Sequence, residues 1–179
     1  MKDFKYRRIC VVGTTGVGKS TLASELSRVL CIPHIELDAL SWGPNWIACS
    51  TEELRRKTDE LTCRDAWVVD GNYSVIRDLT LQRAEAVVWL DYSLTLILWR
   101  LWTRTWKRVI TRQNLWGTNT ERLFPQFFSK DSLFLWALQT YQRRRRTYTT
   151  LLSSPQYAFL KVFHFHSPRE TQTWLRSWS

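Results

Sequence analysis

Residues 13–20 have the sequence Gly13-Thr14-Thr15-Gly16-Val17-Gly18-Lys19-Ser20, which matches the pattern G-x-x-x-x-G-K-[ST]. The apolar, β-branched residues 8–12 before it predict a buried strand, and residues 21–26 after it predict a helix. The pattern binds phosphate in this context, because the backbone N–H groups of the loop and the helix N-terminus converge on the anion. The stretch therefore predicts a β-loop-α unit that binds the phosphates of a nucleotide.

The residue types of this loop suit phosphate chemistry. Glycine lets the backbone approach the phosphates because it has no Cβ. Lys19 is expected to neutralise charge on the phosphate as it moves toward its acceptor, and the hydroxyl of Ser20 is expected to bind Mg²⁺. We therefore predict that nucleotide and Mg²⁺ bind here together.

The pattern of predicted elements extends this unit to the whole chain. Further strands are predicted at residues 33–38, 67–70, 86–91 and 159–165, and further helices at residues 51–62, 93–111, 132–152 and from residue 168 onward. Capping boxes mark two of the helix starts, at Ser50 with Glu53 and at Ser167 with Glu170. Because strands alternate with helices, we predict an α/β fold, a five-stranded parallel sheet with helices on both faces.

Length and composition predict a single domain over residues 1–179, with a basic arm at about residues 97–146. The N-terminus is charged, and no run of about 18 uncharged apolar residues occurs, so we expect a cytoplasmic protein without a membrane span. The four cysteines lack C-x-x-C spacing, so they indicate neither a zinc site nor a disulfide framework. Nothing in the sequence predicts the oligomeric state.

The positive charge of the chain is concentrated in this arm. The net charge is +10, and residues 97–146 contain 11 Lys and Arg against 2 Asp and Glu, which is a net +9. Residues 1–96, by contrast, have a net charge of −1. Such a block faces an anionic partner, and nucleotide phosphates, nucleic acid and a membrane surface all remain open.

The predicted helix at the start of the arm has two faces at helical spacing. The basic face contains Arg100, Arg104, Lys107, Arg108 and Arg112, and the apolar face contains Trp99, Trp102, Trp106, Val109 and Ile110. We expect the tryptophan face to pack on the core and the basic face to supply arginines that bind phosphate oxygens. A solvated basic face and a membrane-surface helix are the alternatives.

Three predicted strands end on an aspartate: Asp38, Asp70 and Asp91. Because ligands of open α/β sheets bind outside the carboxyl ends of the strands, these carboxylates should share one rim with the glycine loop. Asp70 ends an apolar strand and suits Mg²⁺, and Asp38 is the candidate base or acceptor ligand. Asp91 is better explained as a cap of the next helix. His164 and His166 are expected to bind no ligand. One of the two should be buried and the other exposed.

Several motifs now follow one another along the chain. They are Leu37-Asp38, Trp42-Gly43-Pro44-Asn45-Trp46, Asp70-Gly71-Asn72-Tyr73, Leu90-Asp91-Tyr92, Leu115-Trp116-Gly117-Thr118-Asn119-Thr120-Glu121, Asp131-Ser132 and Ser167-Pro168-Arg169-Glu170. Together they resemble the adenylate-kinase-like P-loop proteins known as DNA topology modulation proteins, over nearly the whole chain. The resemblance implies a nucleoside-monophosphate-kinase-like fold with strand order 2-3-1-4-5, ATP and Mg²⁺ as cofactors, and a helical lid after strand four.

The resemblance also assigns roles to residues. It implies that the triphosphate is bound by Gly13, Thr14, Thr15, Gly16, Val17, Gly18, Lys19, Ser20 and Thr21, and Mg²⁺ by Ser20 and Asp70. The acceptor side would contain Asp38, Trp42, Trp46, Asn72 and Tyr73. The arginine-rich lid would contain Arg100, Arg104, Arg108 and Arg112. The chain departs from the family at Phe163-His164-Phe165-His166, where an arginine is expected before Ser167.

These observations favour an ATP-dependent kinase that transfers the γ-phosphate to a nucleotide, a nucleoside or another small acceptor. Lys19, Asp38, Asp70, Arg100, Arg104 and Arg108 are its candidate catalytic residues. The alternative is a nucleic-acid-associated P-loop NTPase or nucleotide-binding protein that uses the basic segment. The sequence does not name the acceptor, because tryptophan and tyrosine side chains can stack a base or line another apolar pocket.

Overall fold

A five-stranded parallel sheet organises the chain, in a computed structural model that describes residues 4–111, 114–115, 119–120 and 133–178. Its strands are β1 (Arg8–Gly13), β2 (His34–Glu36), β3 (Trp67–Asp70), β4 (Ala86–Leu90) and β5 (Lys161–Phe165). They lie in the order β2-β3-β1-β4-β5, with every neighbouring pair parallel. The predicted fold class and strand order are confirmed. A separate antiparallel pair joins Asn114–Leu115 to Asn119–Thr120.

Helices connect these strands. They are α1 (Lys19–Leu30), α2 (Leu37–Ser41), α3 (Thr51–Thr62), α4 (Arg77–Arg83), α5 (Leu94–Ile110), α6 (Leu133–Leu152) and α7 (Pro168–Arg176). Both predicted capping serines are in place, since the hydroxyl oxygens of Ser50 and Ser167 accept hydrogen bonds from the backbone N–H groups of Glu53 and Glu170. None of the described helices is both long and apolar enough to cross a bilayer.

The core lies on both faces of the sheet because successive strand residues point to opposite sides. In β1, Ile9 and Val11 contribute to one cluster, and Cys10 and Val12 contribute to the other. The first cluster includes apolar residues of α1 and α5, and the second includes residues of α3 and α4. Helices therefore cover both faces, and the carboxyl ends of the strands form one edge where loops meet.

The predicted second strand is too long. The strand ends at Glu36, and Asp38 lies in the first turn of α2. Helices α2 and α4 were not predicted, because segments of five and seven residues are too short to show a periodic pattern. Asp38 nevertheless stays at the carboxyl edge of the sheet, because α2 follows β2 without a connecting loop.

The predicted packing of α5 is wrong. Its buried residues, among those whose burial is described, are Ile97, Leu101 and Thr105, whereas Trp99, Trp102 and Trp106 are exposed by 63%, 44% and 40%. The helix has two apolar stripes, one of tryptophans and one that contains Ile97 and Leu101. The second stripe faces the glycine loop. A Cβ on Gly16 would lie 2.5 Å from Cγ of Leu101, so the close contact leaves no room for an indole ring there.

Candidate active site

The glycine loop connects β1 to α1 at the centre of the sheet's carboxyl edge. Gly16 and Gly18 have φ angles of 81° and 107°, a region that residues with a Cβ rarely occupy. Gly18 precedes the first residue of α1, and no side chain caps this helix, so its first N–H groups can bind an anionic ligand. The backbone is therefore shaped for an anion at the N-terminus of α1.

Lys19 and Ser20 begin α1 and point to the same rim. The ammonium of Lys19 donates a hydrogen bond to the carbonyl oxygen of Thr14 at 3.3 Å. Burial lowers the pKa of Lys19, while the negative charges of Asp38 and Asp70 raise it. The ammonium thus lies between the loop and two carboxylates, where a phosphate group would be its natural counter-ion.

Asp70 and Ser20 form a pair of oxygen donors. The hydroxyl of Ser20 donates to Oδ2 of Asp70 at 2.5 Å, and Asp70 is only 2% exposed. Nε2 of His34, on the neighbouring strand β2, lies 3.1 Å from Oδ1 of Asp70. A hydroxyl and a carboxylate are ligands that Mg²⁺ prefers, and they lie at the entrance of the phosphate-shaped loop, so the donor chemistry here fits a magnesium ion.

Asp38 and Tyr73 face each other on the outer part of the rim. The hydroxyl of Tyr73 donates to Oδ1 of Asp38 at 2.8 Å, and the carboxylate is solvent-exposed. Burial, followed by the charge of Asp38, raises the pKa of Tyr73. Tyr73 therefore remains a neutral donor that holds the Asp38 carboxylate at the open side of the site.

The loop after α2 brings Trp42 and Trp46 together. Its backbone is closed by a hydrogen bond from the N–H of Gly43 to the carbonyl of Ile47 at 2.8 Å. The two indole rings meet edge to face, with centroids 6.0 Å apart at 73°. Trp46 has a φ of 60°, which is unusual for a bulky residue and shows that the loop determines its conformation.

Asn72 connects the loop to α6. Its Nδ2 donates to the carbonyl oxygen of Gly13 at 2.5 Å, and its Oδ1 accepts from the hydroxyl of Tyr148 at 2.9 Å. The amide is therefore engaged at both ends by protein groups. This arrangement suits a residue that positions the glycine loop better than one that binds the acceptor directly.

Arginines of α5 reach the glycine loop. Nη1 of Arg100 donates to the carbonyl oxygen of Val17 at 2.5 Å, and its guanidinium lies 5.3 Å from the Tyr92 ring centroid. A Cβ on Gly18 would come within 3.0 Å of Nη1 of Arg100. Arg104 lies close enough to Lys19 to lower the pKa of that lysine. Arg108 follows one turn later on the same helix face and is partly buried. Arg112 lies outside the described residues.

The sequence analysis assigned no role in the site to four residues around this rim: His34, Arg77, Arg144 and Tyr148. Burial lowers the pKa of Arg144, with Asp38 among the charges that act on it. The Arg77 guanidinium lies 5.7 Å from the Tyr148 ring centroid. Burial raises the pKa of Tyr148 to about 12. Arg144 and Tyr148 are four residues apart on α6, a spacing that could have indicated a shared face.

Asp91 does not cap α5. The cap is Ser93, whose hydroxyl oxygen accepts from the backbone N–H of Leu96 at 3.4 Å. The buried Asp91 carboxylate instead contacts Nε of Arg145 and Nε2 of His164. The expectation of one buried and one exposed histidine is also wrong. Residues two apart on a strand share a face, so both His164 and His166 lie on the Asp91 side and are exposed. The side chain of His164 is 33% exposed, and its partial burial lowers the pKa of the imidazole.

Comparisons with known proteins support the fold. No protein-family model matches the chain, and no curated protein matches it in sequence. A shikimate kinase from Bacteroides thetaiotaomicron is similar in structure, with a TM-score of 0.58, 18% identity and coverage of 96% of both chains. A shikimate kinase from Aquifex aeolicus has a TM-score of 0.54 and 17% identity, covering 95% of this chain and 94% of its own. A gluconokinase from Sinorhizobium meliloti has a TM-score of 0.52 and 18% identity, and the match covers 96% of this chain and 92% of the gluconokinase. The chain therefore has the fold of these P-loop kinases.

Proposed function

We propose that the protein is an ATP-dependent phosphotransferase that moves the γ-phosphate of ATP to a hydroxyl or phosphate oxygen of a small acceptor. The observation that carries this proposal is the contact between Ser20 and Asp70 at 2.5 Å, beside the partly buried Lys19 and the N-terminus of α1. The kinase names of the structural neighbours, shikimate kinase and gluconokinase, support the same reaction class.

In this proposal the loop and α1 hold the donor. The N–H groups of residues 14–20 would bind the phosphate oxygens, and Lys19 would bind an oxygen that gains charge during transfer. Ser20 and Asp70 would hold Mg²⁺, which screens the phosphate charges when bound. His34 would keep the Asp70 carboxylate in its orientation through the 3.1 Å contact.

Arginines of α5 would complete the donor site. Arg100 is held against the loop by its bond to Val17, and the positive charge of Arg104 reaches Lys19. One guanidinium group can bind two phosphate oxygens at once, and it stabilises the negative charge that spreads over them in the transition state. We infer that Arg108 extends the same basic face toward the bound phosphates.

The acceptor would bind on the side of Asp38. Its carboxylate is exposed, oriented by Tyr73 and close to the Lys19 ammonium, so it can accept a proton from an acceptor hydroxyl. The positive charges of Arg77 and Arg144 act in the same region, which favours an acceptor that is itself anionic. Trp42 and Trp46 would supply an apolar wall, and Asn72 would position the loop.

A panel of MgATP assays tests the proposal. The acceptors are nucleoside monophosphates, nucleosides and small hydroxy acids, and the measurements are ADP release and phosphorylated product. We expect an acceptor from this panel to stimulate turnover, and Lys19→Ala to reduce it by about 10³-fold or more. Lys161→Ala, at an exposed position on β5, is the matched control. Equal turnover in Lys19→Ala and Lys161→Ala would contradict the proposal.

Nucleic-acid binding is a second candidate, and the exposed tryptophans of α5 favour it. Trp99 and Trp106 lie beside basic residues on a segment of net charge +9, and bases stack on such aromatic side chains. This candidate would agree with the resemblance to DNA topology modulation proteins. It predicts binding to a single-stranded oligonucleotide that weakens steeply with salt and in Trp99→Ala/Trp106→Ala. Absence of binding at low salt would exclude it.

A further inference from the structure

Asp91, His164 and His166 form a cluster at the carboxyl ends of β4 and β5, outside the proposed phosphate site. Each residue offers one donor atom, and the three donor atoms lie within 4.8 Å of one another. Nε2 of His164 and Nδ1 of His166 lie 3.2 Å and 3.7 Å from Oδ2 of Asp91. Two imidazole nitrogens therefore face the same carboxylate oxygen.

These distances match those between ligands of one metal ion. Ligands that lie about 2.1 Å from a tetrahedral ion are separated by roughly 3.4 Å from one another. The two contacts to Asp91 lie on either side of this value. All three donor atoms lie within 4.8 Å of one another, so the two imidazoles must turn toward a common centre for all three to bind one ion.

The surroundings support this arrangement. The ring of His164 stacks on Trp89, with centroids 3.8 Å apart and planes at 1°, so its ring plane is held by a neighbour on β4. Nε of Arg145 lies 2.8 Å from Oδ1 and 3.0 Å from Oδ2 of Asp91, so a metal ion at Oδ2 requires Arg145 to keep only its contact with Oδ1. The side chain of His166 is 59% exposed, which leaves an entry path from solvent.

We propose that Asp91, His164 and His166 bind a divalent transition-metal ion, with Zn²⁺ as the best fit. Imidazole ligands favour Zn²⁺, Co²⁺ and Ni²⁺, whereas Mg²⁺ favours sites made of oxygen alone. Two histidines and a carboxylate leave at least one coordination position for water or for an anionic ligand. The site is separate from the Ser20 and Asp70 pair and does not depend on the proposed kinase reaction.

Titration of the metal-free chain with Co²⁺ tests this proposal, followed by competition with Zn²⁺. The parent for all variants is Cys31→Ser/Cys63→Ser, because these exposed thiols could bind the same ions. We expect one ion per chain, with a visible Co²⁺ spectrum that Zn²⁺ removes. His166→Ala should weaken the affinity by at least about tenfold, and His164→Ala by at least as much.

Lys161→Ala, at an exposed position of the same strand as His164, is the matched control and should leave the Co²⁺ affinity unchanged. NMR of the imidazole nitrogens in the parent protein, which keeps all three of its histidines, gives a second readout that does not depend on how the variants fold. Zn²⁺ should shift the signals of His164 and His166 and spare those of His34. Equal affinity in all three variants, a dissociation constant no tighter than about 1 mM in the parent, or a lack of shifts at both histidines would overturn the proposal.

Discussion

Two aspartates at strand ends, Asp70 and Asp91, each contact a histidine of an edge strand, but the other residues that contact them differ. Asp70 is the last residue of β3 and contacts His34 of the neighbouring edge strand β2 at 3.1 Å. Asp91 follows β4 and meets His164 of the opposite edge strand β5 at 3.2 Å. Both carboxylates are buried, at 2% and 7% exposure. The parallel sheet thus builds a similar aspartate-histidine pair on each side of β1.

The difference lies in the helix that reaches each pair. Ser20 of α1 contacts Asp70, and Lys19 adds its charge there. Arg145 of α6 and His166 contact Asp91. One pair is therefore directed toward the glycine loop and the proposed phosphate chemistry, and the other forms the proposed transition-metal site. A strand-end carboxylate acquires its role from the third element that packs against it.

Asp70→Asn compared with Asp91→Asn is the strongest test of this difference. We expect Asp70→Asn to lower kcat/KM for MgATP by at least about 100-fold, because an amide loses the charge that holds Mg²⁺. Asp91→Asn should lower it by less than about tenfold, because the ion-pair partners of Asp91 are Arg145, His164 and His166 and not Lys19 or Ser20. The assay is acceptor-dependent ADP release.

Circular dichroism of both variants shows whether each is folded, since both side chains are buried. If folded Asp91→Asn loses as much activity as folded Asp70→Asn, the two aspartates are not functionally distinct. The assigned difference between the two sides of β1 would then be wrong.

His34→Ala tests whether the histidine partner matters on the phosphate side. Loss of the 3.1 Å contact frees the Asp70 carboxylate to rotate, so we expect kcat/KM to fall by about tenfold. His34→Gln can keep a hydrogen bond to Asp70 and should recover part of this loss. A merely structural role would reduce thermal stability in both variants without this difference in rate.

We expect Arg145→Gln to have the smallest effect of these variants. The effect should be on stability and not on activity. Its guanidinium is half-exposed and pairs with the buried Asp91 carboxylate, so we expect a loss of about 1 kcal/mol in the free energy of unfolding. For a domain of this size the loss corresponds to about 2–4 °C in Tm. Arg146→Gln, at the exposed neighbouring position, is the control and should leave Tm nearly unchanged. Equal Tm values for the two variants would show that the Asp91 pair contributes nothing measurable.

Much of the fold was predictable because its signals are local. The glycine loop, the apolar strands and the capping serines each depend on residues within a few positions of one another. The site was predictable in part for the same reason, since Lys19 and Ser20 follow the loop directly and Asp70 ends an apolar strand. Their catalytic roles remain predictions that the experiments above address.

The packed face of α5 was not predictable by hydrophobicity alone. This helix has two apolar stripes. The stripe that contains Leu101 is buried and the tryptophans are exposed, because Leu101 fits against Gly16. The choice depends on the shape of a loop about 85 residues earlier in the chain, and helical periodicity carries no information about shape at that distance.

The sequence by itself determined the β-loop-α unit, the parallel sheet with its helices and the concentration of positive charge in one arm, because composition and short-range patterns specify these features. Only the tertiary structure decided which groups meet. His164 contacts Asp91 across 73 positions, Arg145 contacts it across 54, and Asn72 joins Gly13 across 59. Such contacts follow from strand order and helix packing, so the partners of each aspartate emerge only when the chain is folded.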